Sequence, residues 1–262
     1  MNKELTMKEI DITRGIVKSH VNEFLNILES DVVIVGAGPS GLVAGGYLAE
    51  KGFRVSIFEK RLAPGGGIWG GGMGFKYVII QDEAKDILDD FNIPYNTFEQ
   101  GMLAVDSVSF ASGLIFESGK RGVHIFNLVA VEDLLVREGR VSGVVINNAF
   151  VKMNQFPIDP FTVEAKAVVD ATGHEHEVVK TFSRKNDVRL NTETGRPLGE
   201  RSLFAETAEK AVVTNTGEVY PGLFVCGMAT AAVHGGFRMG PIFGGMLLSG
   251  KKLAGMLEEA CS

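Results

Sequence analysis

The sequence predicts an α/β fold from three observations. Residues 31–60 (DVVIVGAGPSGLVAGGYLAEKGFRVSIFEK) read as an apolar strand, a tight glycine turn, a helix and a second strand that ends in an acid. Thr162 to Asp170 first alternates, then becomes a continuous apolar run that breaks at Ala171, Thr172 and Gly173. A third short run, Leu223 to Val225, is followed by Gly227 and later by a helical stretch. Apolar strands separated by helices form a parallel sheet covered on both faces. The expected architecture is a Rossmann-like dinucleotide-binding fold of the FAD/NAD-binding type. It forms one domain over residues 1–262, with an N-terminal helix at about 12–29 and a smaller inserted β-rich lobe at about 100–165.

In chain order, Ile16, Val17, Val21, Phe24, Leu25 and Leu28 recur at helical spacing, which gives an amphipathic helix whose expected role is packing. His20 lies beside that stripe and reads as a partly buried core histidine. Val32, Val33, Ile34 and Val35 form a β-branched run, apolar on both faces as a central strand requires. Gly36, Gly38 and Gly41 then complete GxGxxG. The first glycine permits the sharp turn, the second lets backbone approach a pyrophosphate, and the third lets the helix lie close on the strand. From Ser40 the pattern is helical, so free amides and the positive dipole end face the diphosphate, with the Ser40 hydroxyl as a further donor. Glu59 follows at the interval where an acid accepts from an adenosine ribose, and Lys60 comes next.

The stretch RLAPGGGIWGGGMGFK is too rich in glycine for a helix or strand and is a loop. Gly65, Gly66 and Gly67 stand where a chain could run along the diphosphate, or belong to a mobile lid without contact. Residues 82–91 read as a helix, 101–108 as a return toward the sheet, 128–138 as apolar with interleaved charges and 140–147 as a strand after a short turn, a middle section that forms the smaller lobe. There Val131 could set backbone against an adenine or simply fill core. Residues 185–205, polar and punctuated by glycine, are a surface excursion or a subunit contact. Pro241 is suited to a first helical turn and is expected to open a helix containing Met246, Leu247, Leu248 and Leu253.

A net charge of −6 with no long basic run gives no support for nucleic acid as a partner. The first fifteen residues lack a leader-like apolar core, and glycine or charge breaks every apolar run short of a membrane span, so a cytoplasmic protein is expected. With only Cys226 and Cys261, no disulfide framework is expected.

Four residues could carry chemistry. His174 and His176 follow a strand end, where ligand sites gather in open α/β sheets, and HxH offers two imidazoles, an incomplete metal set. Asp159, between Ile158 and Pro160, is either a hard oxygen ligand suited with imidazole to Fe(II) or an ordinary turn residue. Arg238, flanked by glycines in HGGFRMGP, matches a carboxylate through its planar fork or pairs with a surface acid. Met228 and Met239 line a pocket or fill core gaps.

Taken together, GAGPSG at 36–41, Glu59 with Lys60, APGGGIWGGGMG at 63–74, Ile158-Asp159-Pro160, ATGH at 171–174 and RMGPIFGGMLLSG at 238–250 span nearly the whole chain. On these motifs the chain resembles the archaeal thiamine thiazole synthases, the Thi4 family, in the sulfide-using form that lacks a donor cysteine beside TGH. The resemblance implies that NAD is a substrate, that glycine condenses with the opened ADP-ribose, and that free sulfide enters over many turnovers to give an ADP-thiazole carboxylate. It also implies that Ser40, Glu59, Lys60 and Gly67 hold the nucleotide beside Val131 and Met228. Asp159 and His174 would bind Fe(II), with His176 beside them and the aspartate given by a neighbouring subunit, while Arg238 would hold the glycine carboxylate. A homo-oligomer, such as an octamer, with shared sites would follow.

Two other classes share parts of this pattern. An FAD-dependent oxidoreductase has the same glycine turn, ribose acid and ATG segment, and would be yellow. A nucleotide-sensing protein without turnover would bind NAD and release no nicotinamide.

Overall fold

A computed structural model describes residues 7–261; the first six residues, part of the stretch read as lacking a leader, and Ser262 lie outside the described residues. The expected α/β fold is present. Its central sheet runs Gly217–Tyr220, Leu223–Val225, Phe161–Asp170, Glu29–Val35, Val55–Glu59 and His124–Asn127 in spatial order. These neighbours pair in parallel, except that the outermost strand is antiparallel. Val35 lies opposite Phe58 on one side and Asp170 on the other, so the fingerprint strand ends level with both neighbours. Ligands bind at that carboxyl edge in open α/β sheets.

Both faces of the sheet are covered, which is why Val32, Val33 and Ile34 are fully buried without alternation. On one face the fingerprint helix Pro39–Glu50 packs against the helices Ser107–Lys120 and Gly244–Cys261. The approach is close: a Cβ on Gly250 would stand 2.5 Å from the Ser40 carbonyl oxygen. On the other face Val33, Val35 and Phe58 share a core with Leu134, Val144, Val179 and Phe182.

Phe161–Asp170 belongs to two structures at once. Its first half pairs antiparallel with Arg140–Asn148, which pairs in turn with Val129–Arg137, and there burial alternates. Its last four residues, Ala167 to Asp170, are buried without a break, and from Val168 onward the strand has a parallel neighbour on each side. Within residues 100–165 the β-rich part is therefore the meander that begins at Val129. Met102–Asp106 instead pairs with Tyr77–Gln81 and Asn96–Phe98 in a separate antiparallel sheet, and Ser107–Lys120 lies on the fingerprint helix.

Three local expectations need correction. The N-terminal helix runs Glu9–Asn26, and none of its residues is buried; only Phe24 packs against the core, edge-on to Phe126 and Phe161. His20 is exposed and lies against Phe24 and Phe126 rather than inside. The C-terminal helix begins at Gly244, not at Pro241, because Ile242 bridges to Ile79 and the Phe243 amide donates to the Ile79 carbonyl, which holds that stretch extended. Among the described residues no helix is long and apolar enough to cross a membrane.

Candidate functional site

At the carboxyl edge of the sheet lies a cavity of about 360 Å³. Gly36, Gly38, Ser40, Glu59, Lys60, Gly67, Val131, Met228 and His174 all line it. Nine of the residues read from the sequence thus meet in one place. Gly41 lies beneath the turn, where a Cβ would stand 2.3 Å from the Gly36 carbonyl oxygen. Asp159, His176 and Arg238 do not line this cavity.

The turn is shaped by backbone that only glycine tolerates. Gly36 has φ +103° and donates its amide to the Phe58 carbonyl, and a Cβ there would stand 2.5 Å from the Ala171 carbonyl oxygen. Gly38 has no atom within 4 Å of a Cβ position and no side chain caps the helix it opens, with Pro39 at the start. The first amides of a three-turn helix therefore stay available to an anion.

Glu59 is 6% exposed at the end of its strand, with one carboxylate oxygen accepting the Ala37 amide at 3.0 Å and the other the Arg61 amide at 2.8 Å. Each oxygen has a second lone pair, so the fixed acid can still accept two ribose hydroxyls. Lys60 pairs with Glu177, which also lies 3.9 Å from Lys152. The glycine loop is in contact with the turn: the Gly65 amide donates to the Ala37 carbonyl, and a Cβ on Gly66 would lie 3.1 Å from Gly38 Cα.

The opposite end is built by Asp170. Its fully buried carboxylate accepts the Thr172 amide, the Thr172 hydroxyl and the Val179 amide, and the Thr172 oxygen accepts the Glu177 amide. Burial pushes the Asp170 carboxyl above the usual range against the pull of those three bonds. The network ties the strand end to the helix Glu177–Lys185 and leaves Gly173–Glu175 as a single turn that presents His174. His176, in left-handed backbone at φ +37°, turns its Nδ1 toward the His174 carbonyl.

Glu200 went unread in the sequence. Its Oε1 lies 2.6 Å from His174 Nδ1, and its Oε2 lies 3.9 Å from Arg238 Nε. The segment that carries it, the polar excursion at 185–205, runs back over the chain: Gly199 donates to the Ala232 carbonyl, and Arg201–Leu203 pairs in parallel with Phe237–Arg238. No signal in the sequence marks this acid among the other polar residues of that loop.

The two cysteines are buried. Cys226 lies below the glycine turn, where burial pushes its thiol up to about 12 although the Ser40 hydroxyl opposes the shift. Asp159 is exposed beyond the meander, flanked by exposed Phe156, Ile158 and Phe161. Among the described residues no cluster of three His, Cys, Asp or Glu side chains could hold a metal ion. His174 contributes one imidazole at the cavity, whose lining also includes the carboxylates of Glu59, Glu175 and Glu177.

Fold and site together define an α/β protein of the Rossmann-like FAD/NAD-binding type, whose cavity reaches His174 and, through it, the Glu200 and Arg238 pair. Comparison with known proteins narrows this class: the Thi4 family model matches residues 13–243, and the chain belongs to that family. The thiamine thiazole synthase of Pyrococcus furiosus is 52% identical over 248 residues, 95% of this chain and 96% of that one. That of Methanothermobacter thermautotrophicus is 47% identical over 255 residues, 97% and 99% of the two chains. The crystal structure of Thermovibrio ammonificans THI4 superposes with a TM-score of 0.95 at 44% identity, covering 97% of this chain and 98% of that one.

Proposed function

We propose that this chain is a cytoplasmic thiamine thiazole synthase that forms an ADP-thiazole carboxylate from NAD, glycine and free sulfide, with Fe(II), over many turnovers. The observation that carries the reading is the nucleotide cradle of Gly36, Gly38, Ser40, Glu59 and Gly67, which shares one cavity with His174 in a chain whose only two thiols are buried. A protonated, enclosed Cys226 is a poor sulfur donor, because the thiolate is the reactive form. Sulfur must then come from solution.

In this reading Glu59 accepts the ribose hydroxyls and the helix amides after Gly38 hold the diphosphate. Val131 and Met228 flank the nucleotide, and Lys60 closes the wall through Glu177. Arg238 anchors the glycine carboxylate. His174 offers an imidazole and Asp159 a carboxylate, a nitrogen and oxygen set suited to Fe(II), with His176 beside them. The exposed apolar residues around Asp159 favour its delivery to the cavity of a neighbouring subunit, hence a homo-oligomer with shared sites. Bound Fe(II) would supply a Lewis acid and a template on which sulfide is brought near the substrate.

The test is anaerobic incubation with NAD, glycine, sulfide and Fe(II), with adenylated thiazole counted per chain and the chain mass measured before and after. Many products per chain at constant mass are expected. A single product per chain, with one sulfur lost from the protein, would exclude the sulfide route. Tight flavin in the purified protein together with intact NAD would favour an oxidoreductase.

A further inference from the structure

We propose that Glu200 is a positioning residue that fixes the tautomer of His174 and orients Arg238, so that one carboxylate sets both groups for their ligands. The inference deepens the reading of His174 as a metal donor and Arg238 as a carboxylate anchor, and rests on it. Three observations support it. Glu200 is the enclosed member of the cluster, with its side chain 15% exposed against 49% for His174 and 58% for Arg238. Its two oxygens are divided between the partners, Oε1 toward His174 Nδ1 at 2.6 Å and Oε2 toward Arg238 Nε at 3.9 Å. Backbone bonds pin it from both sides, Gly199 to the Ala232 carbonyl at 2.9 Å and Arg201 to the Gly236 carbonyl at 2.8 Å.

The chemistry follows from what a carboxylate can do. It only accepts, so Nδ1 of His174 must carry the hydrogen, and a neutral ring then has its lone pair on Nε2. Without that partner the ring could take the other tautomer and would be free to rotate. The same acid draws the Nε edge of Arg238 and leaves both terminal nitrogens for a two-pronged bond to a carboxylate. A ligand for the histidine and one for the arginine are thereby held in fixed relation.

The test uses the full-length protein with Glu200→Ala and Glu200→Gln. Long-range proton–nitrogen NMR of the metal-free protein, assigned with His174→Ala, reads the tautomer directly, and calorimetry reads Co(II) and NAD affinity. The wild type should show His174 protonated on Nδ1. Glu200→Ala should shift the ring toward protonation on Nε2 and weaken Co(II) binding about 10- to 100-fold, the cost typical of losing such an orienting partner. NAD affinity should stay within about twofold, because the nucleotide cradle does not include Glu200. Glu200→Gln, whose amide oxygen still accepts from Nδ1, should keep the tautomer and recover most of the metal affinity. If Glu200→Ala does not fold, Glu200→Asp, which draws the carboxylate back by one methylene, is expected to show the same loss. An unchanged tautomer with unchanged Co(II) affinity in the folded variant would overturn the proposal. Should the wild type bind no Co(II) at all, the reading of His174 as a donor fails, and the tautomer alone decides on Glu200.

Discussion

Two glycines of one motif make different demands, and a single methyl group separates them. A Cβ on Gly41 would press to 2.3 Å from the Gly36 carbonyl oxygen and 3.2 Å from Ile34, atoms of the turn and of the sheet that cannot withdraw. A Cβ on Gly38 would meet nothing within 4 Å, although Gly38 lines the cavity. Gly41→Ala should therefore lose about 1 to 3 kcal/mol of stability, the usual cost of forcing bulk into a packed core. Gly38→Ala should melt like the wild type and, on the proposed reading, bind NAD more weakly by about tenfold or more, since its methyl would enter the space proposed for the pyrophosphate. Thermal unfolding and NAD titration of the two variants check this, and equal loss of stability in both would contradict the division. The division was legible from the motif alone, because a turn fixes its geometry over six residues. The Asp170 network was not: an aspartate ending an apolar strand carries no mark of the three donors it will accept.

At the scale of elements, one side chain clasps three neighbouring strands at the edge remote from the cavity. Asp31 accepts the Arg54 amide at 2.9 Å and pairs with Lys166 at 3.0 Å, which ties Glu29–Val35 to Val55–Glu59 and Phe161–Asp170. Burial works against its charge, but the Arg54 amide and the Lys166 ammonium outweigh it and hold the carboxyl below its ordinary 3.8. A depressed folded value contributes stability that is present above the unfolded value and is lost as pH falls through the folded one. Asp31→Asn should lower the unfolding free energy from urea titration at neutral pH by about 0.5 to 1 kcal/mol, the scale of an ion pair whose lysine is exposed. The difference from the wild type should vanish below the carboxylate range. A gap that persists in acid would assign the effect to packing rather than charge. Elements whose partners are close in sequence were readable, as the strand, turn, helix and strand of 31–60 demonstrate. Elements defined by distant contacts were not: Ile242 is drawn into an extended bridge by Ile79, and the loop around Glu200 is placed by Ala232 and Gly236.

Among the described residues, two apolar surfaces are largely exposed in the single chain. One is the stripe of Ile16, Val17, Val21 and Leu25 on the first helix; the other is the group of Phe156, Ile158 and Phe161 around Asp159. The periodicity of the helix was evident from sequence, but which surface would cover it was not, because binary pattern reports that a face is buried and never by what. Exposed apolar groups of this kind mark association surfaces, and one of them surrounds Asp159, the carboxylate proposed to join His174. Suppose, as proposed, that each site takes His174 from one chain and Asp159 from another. His174→Ala and Asp159→Ala should then each be inactive alone, since every site in either assembly lacks one donor. Co-expressed in equal amounts and paired at random across a two-fold axis, half of the pairs are mixed, and each mixed pair has one intact site and one doubly broken. About a quarter of the wild-type turnover should return, from symmetry alone. Counting adenylated thiazole from the purified mixture measures it, with mass spectrometry of the intact assemblies to verify that mixed pairs are present. Mixed assemblies that remain inactive would place both donors within one chain.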